Sequence, residues 1–355
     1  MYNSKNRVRY LSLICIFGIL FTLGIQLWFN KHPELAENLY YNRIYKHFRH
    51  SWDLLFSGIS IPLFYIWLFS LLILFSYFLR YFFLKKERAL SLQLSFILIA
   101  LHFIWFYWTW GFNYARENLS TRWNLNAVIR DSVFLNEFYN QTKLIDSIRS
   151  INKNYIDNFN LDNAGLEYHI RESINQFEVN HGFLSSVHAR CRNLSTKGVL
   201  LIWSTSGVYL PFTGQGQLDG GLHKLSKPFT MAHEMSHVMG WTHEGDCNFI
   251  AYLACSQHND PFIKYSGELN YWRYLYAQAS RSFPEIFKEV KKNLSEDILK
   301  DLREINDANN HYPEIFPQLR SWFYDWYLKS NGIANGDKSY SEIIRMVINH
   351  KNKPY

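Results

Sequence analysis

Three uncharged apolar runs restrict this chain's folds more than any other feature: Tyr10 to Phe29, Leu54 to Leu79 and Ser91 to Tyr114. Each reaches the ~20 residues that an α-helix needs to cross a hydrocarbon core ~30 Å thick. A buried helix of a soluble domain rarely runs so far without a charge. The spacing therefore predicts three transmembrane helices, over 10–29, 54–79 and 91–114, with 1–114 as a membrane anchor and the lipid bilayer as a partner. Gly58 and Pro62 lie near the start of the second run, and Trp105 to Trp110 closes the third with an interface-type aromatic cluster. The mean hydropathy of the whole chain is slightly negative, so the remainder is not a polytopic transporter. Lys5, Arg7 and Arg9 precede the first run in the manner of a signal peptide, but no small-residue cleavage site follows it. We expect it to be retained.

Basic residues set the expected orientation. The Lys5/Arg7/Arg9 cluster and the Lys85-Lys86-Glu87-Arg88 turn are separated by two spans and so share a side, which the positive-inside rule makes the cytoplasm. The loop 30–53 then faces outward, although Lys31, Arg43, Lys46 and Arg49 weaken the contrast. Residues 115–355 follow the third span and are expected outside the cytoplasm, on the periplasmic side of the inner (plasma) membrane. A net charge of +7 with no long Lys/Arg run gives no basis for nucleic-acid binding. No repeat or low-complexity tract is evident.

Within 115–355 the chemistry concentrates in His233-Glu234-Met235-Ser236-His237. Two imidazoles four residues apart share one helix face, with ~6 Å between their Cβ atoms. That spacing suits two corners of a tetrahedral zinc site. Glu234 between them can point at a water on the ion and act as general base, the H-E-x-x-H arrangement of zinc peptidases. Pro228 suits the first turn of this helix and Gly240 its stop. A second helix is expected from near Thr242 to Gln257, ended by Asn259-Asp260-Pro261.

Elsewhere the pattern is helical from Arg116 to about Asn180, with Leu135, Phe138 and Tyr139, then Leu144, Ile148 and Ile151, at steps of three and four. Val199 to Trp203 reads as a buried strand and Val208 to Leu210 as another, before the turn-rich Pro211 to Gly221. A strand pair just upstream of the motif is where a peptidase would offer an edge to an extended substrate. Further helices are expected over Tyr271–Ala279, Glu285–Glu304, Leu319–Tyr327 and Ser341–Asn349. Of the four cysteines, Cys15 lies in an apolar run. Cys247 and Cys255, if on one helix, are ~12 Å apart and cannot bridge each other. Cys191 can pair with either in an oxidising compartment. No C-x-x-C spacing suggests a cysteine-rich metal site.

Two neighbours compete for third ligand. His243 completes H-E-x-x-H-x-x-G-x-x-H, which resembles the metzincins; that group also has a methionine turn, and the later Met346 lies inside an apparent helix. Glu244 would give a His-His-Glu site with water in the fourth place. Asn248, four residues on, can fix a ligating imidazole's tautomer.

Several stretches, taken in order, resemble a bacterial membrane family, domain-of-unknown-function family 3810. They are Trp110-Gly111-Phe112-Asn113-Tyr114, Leu210-Pro211-Phe212-Thr213-Gly214, Ala232 to His237, Glu244 to Cys255, Tyr265-Ser266-Gly267, Trp326 to Gly332 and Lys338-Ser339-Tyr340. The resemblance implies transmembrane helices followed by an extracytoplasmic H-E-x-x-H domain. It favours Glu244, the Glu of E-x-x-x-N, over His243. Gln215 stands where it implies an acid.

The expectation is therefore a mainly α fold with a small β element, a zincin-like metallopeptidase domain over 115–355, behind three N-terminal transmembrane helices. Zn2+ would be held by His233, His237 and Glu244 in a gluzincin-like site, with Glu234 as general base and a peptide or protein as substrate. Tyr265, in a Tyr-Ser-Gly loop, is the nominee for oxyanion donor. The competing readings are a non-hydrolytic zinc-binding sensor or assembly protein, and a zinc amidase acting on cell-wall peptides. Lys224, Lys227, Glu244 and Asp246 crowd the motif and disfavour an intramembrane protease.

Overall fold

Water would not tolerate the faces that the N-terminal helices present. In the computed structural model, which describes residues 2–84, 87–183, 188–322 and 342–353, Phe17 is 70%, Phe69 64% and Ile99 68% exposed. These side chains lie on helices α1 (Tyr2–Lys31), α3 (Leu63–Leu79) and α4 (Arg88–Thr109). All three apolar runs are thus long and apolar enough to cross a membrane, over Asn6–Lys31, Leu63–Phe83 and Arg88–Thr109. The second differs from the expected 54–79. A separate helix, α2 (Lys46–Phe56), ends before Gly58, and Pro62, whose ring has no N–H to donate, marks the boundary from which α3 starts.

The chain divides into two compact units, Met1–Glu117 with Leu210–Gln215, and Asn118–Tyr209 with Gly216–Tyr355. In the first, α1 packs along α4: Gly18 lets Ile104 approach, and Trp108 Nε1 donates to Thr22 Oγ1 at 3.1 Å. Between α1 and α2 the chain winds as a π-helix, Ala36–Tyr45, that buries Tyr40, Tyr41 and Tyr45. Arg116 lies 3.3 Å above the Tyr41 ring and pairs with Glu37 at 2.7 Å. Arg49 and Asp53 form a buried ion pair one turn apart on α2. Residues 210–215 nest here. Phe212 stacks on Trp67 at 5.5 Å and tilts against His102, while Trp52 Nε1 donates to the Thr213 carbonyl at 2.9 Å.

The second unit is mainly helical around a three-stranded sheet. Helices α5 (Asp131–Ile151) and α6 (Asn163–Asn180) precede strands β1 (Cys191–Asn193), β2 (Gly207–Leu210) and β3 (Gln215–Leu218). The sheet order is β1-β3-β2, with β1 parallel to β3. Then come α7 (Lys227–Val238), α8 (Glu244–Ser256), α9 (Pro261–Ser282), α10 (Pro284–Lys292), α11 (Glu296–Asn310) and α12 (Glu342–Lys351). The family-like stretches Trp326–Gly332 and Lys338–Tyr340, the end of the expected helix Leu319–Tyr327, the first residue of the one expected over Ser341–Asn349, and the Lys85-Lys86 pair lie outside the described residues. Every residue of α8 is buried, so it runs through the middle of the unit.

Four differences from the sequence reading have physical causes. Val199 to Trp203 is not a strand: the Asp219 carboxylate accepts from the amides of Gly198, Leu200 and Leu201 and bends the segment into a turn and a short 3-10 helix. The buried face of α5 runs through Phe134, Phe138, Gln141, Ile145 and Arg149, leaving Ile151 78% exposed, because Gln141 reaches Glu268 and Arg149 reaches Asp301. Tyr265-Ser266-Gly267 is not a loop but lies inside α9. Gly267 serves close packing, since a Cβ there would stand 2.6 Å from that of Cys255 on α8. Asp260 caps α9, so Asp260-Pro261 both ends one helix and starts the next. Finally, all four cysteines are buried free thiols, and none is bridged.

Candidate metal centre

Pro228 in the first turn and Gly240 at φ +92° bound α7 as the sequence implies, and both imidazoles of the motif point at α8. There the first residue of the helix, Glu244, meets them. Its Oε2 lies 3.1 Å from His233 Nε2 and 3.7 Å from His237 Nε2. One ligand atom from each of the three residues falls within 4.8 Å of the others, and all three residues are buried. A tetrahedral zinc ion with bonds of 2.0–2.2 Å would hold such atoms about 3.3 Å apart, close to the two spacings from Glu244.

The far sides of the rings decide which nitrogen faces inward. His237 Nδ1 lies 2.7 Å from the Trp241 carbonyl, which can only accept, so Nδ1 carries a proton and Nε2 is the nitrogen turned toward Glu244. His233 Nδ1 lies 2.9 Å from Asn248 Oδ1. That amide oxygen can only accept, so His233 Nδ1 donates to it. Both Nε2 atoms and the Glu244 carboxylate therefore converge where water is scarce; protons shared between rings and acid hold them together there, and a cation can take the protons' place. Burial pushes the Glu244 carboxyl upward, but the two imidazoles outweigh it and hold the acid well below the usual carboxylate range. Cys247 adds its Sγ 3.3 Å from His237 Nδ1.

Glu234 is set apart from this trio. Burial raises its pKa, against the pull of both imidazoles and of the Tyr209 backbone N–H that donates to it. Two glycines make its space. A Cβ on Gly207 of β2 would lie 2.9 Å from Glu234 Oε1, and one on Gly216 of β3 would lie 2.8 Å from its Cβ. Tyr209 also lays its ring along His237, 6.4 Å between centroids.

His243, the alternative third ligand, faces Glu342 of α12 at 3.8 Å and is not part of the trio. Tyr265 is likewise elsewhere. Its hydroxyl donates to Asp301 Oδ2 at 2.7 Å, and Arg149 holds that carboxylate from the other side. A phenol that does feel the metal group is Tyr274, on α9, with Asn248 and the Glu244 carboxylate among its electrostatic neighbours. One tyrosine among 24 carries no sequence signal of such a role; its position on a helix packed against α8 supplies it. Gly207, Gly216 and the Trp241 carbonyl were equally silent in the sequence.

Fold and site together define a chain with three helices able to span a membrane and a mainly helical unit holding a buried His-His-Glu group able to take a metal ion. Over residues 40–348 it matches the family described as "Protein of unknown function (DUF3810)", and it belongs to that family. No curated protein and no solved structure matches it.

Proposed function

We propose that the protein is a membrane-anchored zinc metallopeptidase that hydrolyses peptide bonds outside the cytoplasm. The observation that carries this reading is the convergence of His233 Nε2, His237 Nε2 and Glu244 Oε2 beside a separate buried carboxylate, Glu234. Two nitrogen donors and one carboxylate suit zinc, with a coordination place left for a reactant. When bound, zinc would supply Lewis acidity to water and to the scissile carbonyl. His233 and His237 would hold the ion through Nε2, since their Nδ1 atoms face Asn248 Oδ1 and the Trp241 carbonyl. Glu234, its proton affinity raised by burial, accepts the proton from the attacking water and returns it to the leaving amine. We assign Tyr274, which has Asn248 and Glu244 among its electrostatic neighbours, in place of Tyr265 as the hydroxyl that donates to a developing oxyanion. Strand β2 stands at the end of the sheet order, where an extended peptide can add.

The test is metal analysis of the purified full chain, followed by assay against peptides and cell-wall fragments. Zinc near one per chain, with peptide cleavage abolished in Glu234→Gln, is the expected result. Cleavage of cell-wall fragments alone would make it an amidase. Zinc without any cleavage would leave a sensor or assembly protein, and a chain that refuses zinc would remove the hydrolase reading.

A further inference from the structure

Ser266 Oγ donates to the Leu225 carbonyl just ahead of α7, at 2.6 Å. Gly267 of α9 packs on Cys255 of α8, and Tyr271, four residues on, rests on Tyr252, three residues back, so α9 runs against α8. With His237 facing Glu244 and His233 facing Asn248, α7 runs against α8 as well, so α9 and α7 share a direction and the two turns of α9 after Ser266 climb about 12 Å toward the metal group.

Arg273 lies on that climb, half-buried. Its Nη1 donates to Asn270 Oδ1 at 3.2 Å, and Asn270 Nδ2 is tied to the Ser266 carbonyl at 2.8 Å. The guanidinium is thus held in place from one corner, with four further N–H groups to offer. Arg49, Arg116 and Arg149 are each paired with a carboxylate. Among the described residues, no acid lies within 4.0 Å of Arg273, and its electrostatic neighbour is the Tyr274 phenol. A cation sunk this far without a countercharge is costly unless something supplies one.

We propose that Arg273 receives a carboxylate of the substrate, so that the site takes peptides bearing a negative charge next to the bond to be cut. This rests on the peptidase reading. A guanidinium matches a carboxylate through two parallel N–H donors, which is why an arginine serves here better than a lysine, whose ammonium keeps the charge but not the fork. The carboxylate is either the C-terminal one of the peptide or an acidic side chain.

The experiment measures binding of three probes to the full chain in detergent, freed of metal by chelation. They are acetyl-Ala-Ala with a free C-terminus, the same dipeptide as its amide, and acetyl-Ala-Glu amide. At least one charged probe should bind the wild type about tenfold or more tightly than the neutral amide, and which of the two does so identifies the carboxylate. Arg273→Gln should erase the difference and Arg273→Lys restore part of it. Equal binding of all three, no binding at millimolar concentration, or a difference that persists in Arg273→Gln overturns the proposal. Hydrolysis of matched longer peptides by the zinc-loaded chain reports separately on the peptidase reading. Cleavage indifferent to charge removes the carboxylate subsite alone, whereas intact discrimination in binding without cleavage removes the peptidase reading.

Discussion

Glu234 and Glu244 are both buried, yet their surroundings send their acidities in opposite directions: burial lifts the first, while two imidazoles hold the second down. That division is what an acceptor of protons and an anionic metal ligand require of two otherwise identical side chains. Glu234→Gln should keep zinc and lower turnover about 10²- to 10⁴-fold, read by metal analysis beside peptide cleavage. Glu244→Ala should lose zinc at micromolar supply, whereas His243→Ala, whose ring faces Glu342, should retain it. Tyr265→Phe should leave turnover unchanged and cost about 1–3 kcal/mol of stability, because it strips a donor from the buried Asp301. At this scale the two histidines, both glutamates and Asn248 were legible, because ligand spacing along a helix is written in the residue order. Tyr274 was not, since its role comes from a helix brought alongside by tertiary packing.

Among the elements, strands β2 and β3 matter through what they lack. Gly207 and Gly216 leave the hollow that Glu234 fills, so Gly216→Ala should displace that side chain and lower cleavage while sparing zinc content, since the ligands sit on α7 and α8. A normal rate in that variant would show the contact to be slack. The α7 helix was legible because Pro228 and Gly240 punctuate it in a way few other folds explain. The strand expected at Val199 to Trp203 was not real, because an apolar run does not reveal that Asp219, sixteen residues beyond its end-point Trp203, will claim its amides. Tyr265-Ser266-Gly267 misled for a related reason: a glycine that eases two helices together looks, in one dimension, like one that turns the chain.

For the molecule as a whole, an ion taken up by the His-His-Glu group would join α7 and α8, two helices of the second unit, one of them buried along its full length. Removing it with a chelator should lower the midpoint of thermal unfolding, and added zinc should restore it in proportion to the logarithm of its concentration. The three apolar helices were the most legible part, because a bilayer demands length and composition and little else. The division of the chain between the two units was less so. It passes from one to the other after Glu117, after Tyr209 and again after Gln215. No single scission therefore frees the helical body intact. A fragment starting at Asn118 would carry Phe212 and Thr213 away from Trp67, His102 and Trp52, and present them bare to solvent. Anyone trimming the apolar helices to obtain the helical unit alone inherits a greasy tip, and would do better to excise or recode 210–215 in the same stroke.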